Sequence, residues 1–353
     1  MSSAPAAAHF TNKRAGFYRP ELDVLRFGAF LFVFLHHAMP HAAADYIAAG
    51  FSDHAASLVA AIARSGELGV DVFFALSAYL ITESLLRERQ ARGSVDIRSF
   101  YIRRILRIWP LYYAAVLILT PAMSRVAGEH MPRSYSAAFA LFGGNWACAL
   151  WGYPPSSLAL LWSVSIEDQF YLVWPWLVRL GPAGLRRISY GMLGIACAAR
   201  LALLIRGVHH PGIWCNTLAR LDPFAAGALL ACFLNGSVRE YQTHWRLLCV
   251  GSGVVVLICC GAGGNNVGWP VLLTYPLAAG ASVMTIAGVL GARCLTGSYL
   301  GKISYGLYVF HAAVIRIVPS PLFALPLTIA IAALSYRHLE SPFLRLKDRF
   351  ARL

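Results

Sequence analysis

The stretch from 18 to 40 places an arginine and a histidine on one face of a single apolar helix. Arg26 and His37 are eleven residues apart, which corresponds to about three helical turns and roughly 16 Å of rise. At about 100° per residue, the two side chains lie within roughly 20° of one another, whereas the neighbouring His36 is turned about 80° away. We therefore expect an anion-binding group near one end of this helix and a titratable base deeper along the same face.

The segment FYIRRILRIWPLYY (100–113) is a second candidate for anion binding. Arg104 and Arg107 are three residues apart and therefore lie on one helical face. Pro110 follows them and is expected to loosen the backbone. Spacing alone leaves two interpretations open. The arginines either anchor a membrane helix on its cytoplasmic side, or they clamp the phosphates of a nucleotide-bearing donor.

Carboxylates occur where several apolar helices are expected to begin. Asp71, in the stretch GVDVFFALSAYLI (69–81), is either an interfacial charge at a helix N-terminus or part of an acceptor site. Glu167, in LWSVSIEDQFYLVWPW (161–176), is either a capping charge or a functional group, because ionisable residues are costly inside a bilayer. Arg220 and Asp222 are close in sequence, and we expect them to form a local ion pair.

The stretch ISYGLYVFHAAV (303–314) places Tyr305, Tyr308 and His311 inside another apolar segment. His311 lies about eight residues into this segment, near the middle of a membrane by its helical rise. A lone histidine at such a depth often only forms a hydrogen bond between helices, and the same interpretation applies to His37. Two histidines at comparable depth in different helices nevertheless favour a shared site.

The composition indicates a helical membrane protein. The chain has 353 residues, of which 58% are hydrophobic and only 13% are charged, and its mean hydropathy is +0.59. A soluble enzyme carries about twice that fraction of charged residues. Repeated apolar stretches predict an all-α bundle of about ten transmembrane helices, at approximately 25–44, 68–86, 105–123, 166–179, 188–206, 218–235, 247–263, 270–290, 303–318 and 321–336.

The distribution of basic residues predicts the topology. The net charge of +14 is expected to come from lysines and arginines that accumulate on the cytoplasmic side of the membrane. It does not indicate nucleic-acid binding. Ten crossings with both termini in the cytoplasm place most of the lysines and arginines on that side. The apolar stretch 136–151 is short and is followed by WGYPPSS, so we interpret it as a half-span or interfacial segment. The cysteines show no metal-ligand spacing, and we expect no metal or bound cofactor.

These stretches together resemble the acyltransferase family 3 membrane proteins, which acylate surface glycans and small molecules in bacteria. The opening RPELDVLRFGAFLFVFLHHA resembles the family's Arg-x10-His signature, which falls here on Arg26 and His37. Six further blocks match in order and extend the resemblance from about 18 to 346: GVDVFFALSAYLIT, FYIRRILRIWPLYY, LWSVSIEDQFYLVWP, LARLDPFAAGALLA, ISYGLYVFH and YRHLESPFLR.

The resemblance implies an acyl-CoA donor that reaches the site from the cytoplasm, with His37 as the catalytic base. It also implies that Arg26, Arg104 and Arg107 contribute to donor binding. The sequence departs from the family pattern at Val24 and Ala78, where glycine is usual, and at Asp168, where a second glutamate is frequent.

We divide the chain into a cytoplasmic tail (1–17), an acyltransferase family 3 membrane domain (18–346) and a second cytoplasmic tail (347–353). Some family members carry a C-terminal extracytoplasmic esterase-like domain. This chain ends at Leu353, so we expect it to resemble the stand-alone members and not to act directly on peptidoglycan or a remote polymer.

The sequence therefore predicts a membrane-embedded O-acyltransferase of the bacterial inner membrane. The resemblance implies an acetyl group from acetyl-CoA and a hydroxyl of a carbohydrate or glycolipid as acceptor. We expect His37 to act as general base and Glu167 to orient it, with Asp71, Tyr305 and His311 in substrate binding. Covalent transfer through His37 or Ser77 stays open. The alternatives are a transporter or flippase for an acylated or glycosylated lipid, and a non-catalytic scaffold.

Overall fold

The computed structural model of the protein describes residues 18–237, 242–263, 268–292 and 298–350. The predicted tail 1–17 and the last three residues of the predicted tail 347–353 lie outside this range. The described chain is helical and contains no β-strand. Its α-helices, in chain order, are α1 (Pro20–Ala38), α2 (Ala43–Ala48), α3 (Asp53–Ser65), α4 (Gly69–Arg92), α5 (Ile97–Ala114), α6 (Thr120–Ala127), α7 (Arg133–Ala140), α8 (Gly144–Trp151), α9 (Trp162–Leu177), α10 (Gly181–Ile205), α11 (Asp222–Leu234), α12 (Thr243–Ala262), α13 (Val271–Val289), α14 (Ser298–Lys302), α15 (Ser304–Ile317), α16 (Pro321–Ser335) and α17 (Ser341–Phe350).

The helices agree with the all-α prediction, and each of the ten predicted spans overlaps one of them. Six helical segments within the described residues are long and apolar enough to cross a membrane: Asp53–Arg92, Ile97–Ala127, Ser157–Ile205, Thr243–Ala262, Val271–Val289 and Pro321–Leu346. The protein is therefore an integral membrane protein with several apolar helices, and the count of about ten crossings stays a prediction.

The stretch 136–151 folds as two short helices. Helices α7 and α8 each have eight residues, which is about 12 Å of helix and too short for a hydrocarbon core of about 30 Å. The break between them includes Phe142, which has a positive φ of 53°. A straight crossing by 136–151 is therefore absent.

Two helices widen into a π-helical turn just before a proline. The turn Ala115–Leu119 continues α5 into α6 and precedes Pro121, and the turn Tyr336–Glu340 continues α16 into α17 and precedes Pro342. Proline has no backbone N–H to give to the preceding turn, and its ring crowds the carbonyl four residues earlier. A wide turn relieves this conflict without ending the helix.

Glycines allow neighbouring helices to approach α1 closely. A Cβ atom added to Gly66 would lie 2.2 Å from the carbonyl oxygen of Phe32, and one added to Gly69 would lie 2.6 Å from that of Ala29. Such distances are shorter than any real Cβ contact, so only glycine fits at these two positions. Because membrane helices gain stability from close packing of small residues, these contacts determine where α1 lies in the bundle.

We expect Gly69→Ala to destabilise the protein by about 1–3 kcal/mol, because the new methyl group must displace the backbone of α1. Thermal unfolding of the detergent-solubilised protein measures the change. Gly251→Ala on α12 is the matched control, because its Cβ would meet no atom within 4 Å. The control should be neutral or gain up to about 1 kcal/mol of helix propensity. Equal effects of the two substitutions would contradict this account of α1 packing.

Candidate active site

His37 lies in the last turn of α1, where it contacts His311 of α15. Its Nδ1 atom is 3.0 Å from the carbonyl oxygen of Val33 and 3.3 Å from Nε2 of His311. The Nδ1 atom of His311 is in turn 2.7 Å from the carbonyl oxygen of Tyr308. The structure therefore brings together the two histidines for which the sequence predicted a shared site.

The backbone carbonyls determine which nitrogen of each histidine carries the proton. A carbonyl oxygen only accepts hydrogen bonds, so His311 must donate from Nδ1 to Tyr308. A neutral imidazole has a single N–H, and His311 Nε2 is therefore a lone-pair acceptor facing His37. His37 then donates from Nδ1 to Val33 and His311 together. The lone pair of His37 is consequently on Nε2, as a general base requires.

His37 is open to a cavity of about 400 Å³. Its Nε2 atom makes no hydrogen bond with any residue that the structure describes. His36, the neighbouring histidine, contacts the carbonyl oxygen of Ala63 at 3.0 Å instead. The other residues that line the cavity are Gly128, Glu129, Pro155, Ser156, Ser157, Ala312, Ile315 and Arg316.

Arg26, Arg104 and Arg107 form a group near the other end of α1, which we call the arginine cluster. The three guanidinium groups are close enough to repel one another. Arg26 donates to Asp23 at 2.8 Å. Arg104 lies over the aromatic rings of Phe100 and Tyr171, 5.6 Å from each ring centre. Its Nε atom is buried and has no hydrogen-bond partner among the described residues.

The arginine cluster is only partly neutralised. Glu167 attracts Arg104 and Glu340 attracts Arg107. Neither arginine, however, forms an ion pair within 4 Å among the residues that the structure describes. The cluster therefore keeps donors and positive charge for an anionic ligand, which supports the phosphate-clamp interpretation of these residues.

Tyr18, just before α1, contributes to the orientation of Asp23. Its hydroxyl donates to Oδ2 of Asp23 at 2.6 Å, while Oδ1 accepts from Arg26. Partial desolvation and the hydrogen bond to Asp23 raise the pKa of the Tyr18 hydroxyl to about 12, so it remains a donor at neutral pH. Asp23 is thus held from two sides and positions Arg26.

Glu167 lies elsewhere than the sequence predicted. Its Oε1 atom accepts hydrogen bonds from the hydroxyls of Ser77 and Tyr171, and it makes no hydrogen bond with His37. The side chain that contacts His37 Nδ1 is that of His311, at 3.3 Å, which the sequence placed in substrate binding. The hydroxyl of Ser77 donates its hydrogen bond to Glu167 and not to His37.

Asp71 lies in a buried ion pair and does not line the His37 cavity. It accepts from Arg220 at 2.8 Å, and neither side chain is exposed. Asp222 pairs with Arg200 of α10 instead of with Arg220, so the predicted local pair is wrong. Arg220 ends the 3₁₀ turn Leu218–Arg220, and Asp222 is the first residue of α11, so the two side chains face different neighbours, as residues two apart on a helical path do.

The hydroxyl of Tyr305 donates to the carbonyl oxygen of Ile108 at 3.1 Å, next to Arg107 in sequence. This places Tyr305 against α5 and not in the cavity beside His37. Within the described residues, no group of three or more His, Cys, Asp or Glu side chains is arranged to hold a metal ion.

Three polar residues that line the cavity were not predicted from the sequence. Glu129, Ser156 and Ser157 lie in loops between short helices, where no periodic pattern indicates which side chains face inward. The only available signal was the glutamate itself, an acidic residue between two apolar segments.

Comparison with known proteins identifies relatives over most of the chain. Residues 19–336 match the family described as Acyltransferase domain. Peptidoglycan O-acetyltransferase OatA of Listeria monocytogenes is 26% identical over 331 residues, which covers 79% of this chain and 51% of the relative. A Staphylococcus aureus (strain MSSA476) protein named "Putative O-acetyltransferase" is 27% identical over an alignment of 377 positions, covering 95% of this chain and 58% of the relative.

The chain thus spans about half the length of the curated relatives it matches. No solved structure matches the chain.

We expect Asp71→Asn and Arg220→Gln each to destabilise the protein by about 3–5 kcal/mol, because each leaves a buried charge without its partner. The double variant should recover part of that loss, since the two residues are directly coupled. Thermal unfolding in detergent measures all three variants. Glu88→Gln is a control, since Glu88 pairs with Arg103 at a partly exposed site and an exposed pair contributes only about 0–1 kcal/mol. Normal stability with lost activity in Asp71→Asn would contradict a structural role.

Proposed function

Because this chain belongs to acyltransferase family 3, we propose that it transfers an acetyl group from acetyl-CoA to a hydroxyl of a carbohydrate or glycolipid. The observation that carries the proposal is the pair of His37 and His311, which leaves His37 Nε2 free at a cavity with both polar and apolar lining residues. A base, a space for a hydroxyl-bearing acceptor and a separate group of arginines are the parts that such a reaction needs.

In the proposed reaction the acceptor hydroxyl enters the cavity and donates to His37 Nε2. As the oxygen attacks the thioester carbonyl carbon, Nε2 takes the proton, because an alcohol is too weak an acid to ionise unaided. The C–S bond then breaks, and the imidazolium returns the proton to the departing thiolate. The products are the O-acetyl ester and CoA with a free thiol.

His311 serves this step as a positioning residue. Its Nε2 lone pair accepts from His37 Nδ1, as does the carbonyl oxygen of Val33. Both acceptors are neutral, so they orient the ring and stabilise the imidazolium without placing a fixed negative charge beside it. The proton on His37 is therefore held weakly and is readily passed to the thiolate.

The arginine cluster is the proposed site for the phosphates of the donor. Three mutually repelling guanidinium groups, two of them without an ion pair in the described part of the chain, favour a polyanion. Arg26 and His37 are about 16 Å apart along α1, so the extended arm of CoA would cover the distance between phosphate and thioester. We propose that the arginine end faces the cytoplasm, where acyl-CoA is made, in a bacterial inner membrane.

The decisive experiment follows the release of free CoA thiol from acetyl-CoA by protein reconstituted in liposomes. We expect release with the wild type and a loss of about 10²–10⁴-fold in kcat for His37→Gln, because the variant lacks the base. A protein that moves lipid instead would release no thiol. His36→Gln is the matched control, since His36 faces Ala63 and not the cavity. Equal loss in both variants would contradict the assignment of His37.

His311 variants test the positioning role within the same assay. His311→Leu removes the acceptor for His37 Nδ1 and should lower kcat strongly, whereas the amide oxygen of His311→Gln can still accept and should restore part of the rate. If the Leu and Gln variants lost the same activity, the hydrogen bond from His37 would not be the reason for the loss.

Substitution of the arginine cluster should affect donor binding. We expect Arg104→Gln and Arg107→Gln to raise the KM for acetyl-CoA by about tenfold each, since a hydrogen bond to a charged group contributes about 1.5–3 kcal/mol. The KM for acetylated pantetheine, which lacks the nucleotide phosphates, should not change. A kcat effect with an unchanged KM for acetyl-CoA would overturn donor binding at these residues.

A further inference from the structure

Glu129 lies in the wall of the His37 cavity and is fixed through one of its two carboxylate oxygens. Oε2 accepts from the backbone N–H of Ser157 at 2.8 Å, from its hydroxyl at 2.9 Å and from the hydroxyl of Ser156 at 3.3 Å. A backbone hydrogen bond from His130 to Pro155 joins the same two loops. Glu129 is only 9% exposed, so its carboxylate is both buried and rigidly held.

The hydrogen bonds that hold the two loops together explain the position of Oε2, but they do not involve Oε1. Oε1 makes no hydrogen bond with the described residues, and it is not sealed from solvent. A carboxylate offers about four acceptor positions, and the bonds to Ser156 and Ser157 use only those of Oε2. Glu129 lines the same cavity as His37, so Oε1 is an acceptor available to an occupant of that cavity.

The cavity lining defines the chemistry of an occupant that satisfies both groups. The occupant must donate one hydroxyl to His37 Nε2 and a second to Glu129, so it needs at least two hydroxyl groups. Pro155, Ala312 and Ile315 supply an apolar wall against which the C–H face of a ring can pack. Arg316 also lines the cavity, in the last turn of α15, where the helix dipole favours a cation.

We infer that this cavity is the acceptor subsite and that Glu129 selects a sugar by accepting a hydrogen bond from a hydroxyl other than the one that is acylated. The inference rests on the proposed function and adds to it the residue that determines acceptor class. Glu129 is a specificity residue: it binds the acceptor and exchanges no proton with the thioester.

The test compares two acceptors and a variant that keeps the loops fastened. In Glu129→Gln the amide oxygen can take over the bonds to Ser156 and Ser157, but an NH₂ group then replaces the charged acceptor in the cavity. Thiol release from acetyl-CoA is measured with a panel of methyl hexosides and with propan-1-ol, which has a single hydroxyl. We expect the ratio of kcat/KM for the best hexoside to that for propan-1-ol to fall tenfold or more.

Glu88→Gln is the matched control, because Glu88 also fastens a loop through a backbone N–H, that of Asp96 at 3.0 Å, away from the cavity. It should leave the ratio unchanged. The inference is overturned if kcat/KM of the Glu129→Gln variant falls equally for both acceptors, or falls for neither. So does a wild type that releases thiol but prefers no hexoside over propan-1-ol. No release with any acceptor, including water, would overturn the proposed function instead.

Discussion

Charged groups inside a bilayer cannot be solvated by water, so a membrane protein must neutralise them with its own side chains. This chain does so with two buried ion pairs, Asp71–Arg220 and Arg200–Asp222, which join α4, α10 and α11. The ring of Tyr275 lies 4.6 Å from the guanidinium of Arg220 and extends the contact to α13. Because removing one member of such a pair leaves an uncompensated charge, the pairs strongly favour one arrangement of these helices over others.

Other polar groups have no ion-pair partner and lie elsewhere. Within the described residues they include His37 Nε2, Glu129 Oε1 and the guanidinium groups of Arg104 and Arg107, which lie at the cavity or in the arginine cluster. The protein therefore separates two uses of polarity: neutralised groups hold the helices, and open groups face the places where a donor and an acceptor would bind. Burial alone does not distinguish these uses, but an ion-pair partner does: Asp71 and Arg220 each have one, although Asp71 Oδ1 and two nitrogens of Arg220 make no hydrogen bond within the described residues.

Local sequence patterns predicted the helices and the placement of Arg26 and His37 on one helix, because both depend only on helical periodicity. They also predicted that His37 and His311 share a site, since two polar groups at one depth of an apolar bundle have few other partners. The partners of Glu167, Asp71 and Asp222 were not predictable, because they depend on how distant helices pack. The resemblance to a family could not supply Glu129 either, since its position depends on two irregular loops that meet only in the folded chain.

The partner of Asp71 has a consequence for how the protein is made. Arg220 follows Asp71 by 149 residues, which a bacterial ribosome needs roughly 7–30 s to synthesise at about 5–20 residues per second. During that time α4 is already made while the cation that neutralises Asp71 does not yet exist. The ion pair between Asp71 and Arg220 can therefore form only after most of the chain has been synthesised. The packing of α4 is completed late, by a residue that is made long after His37.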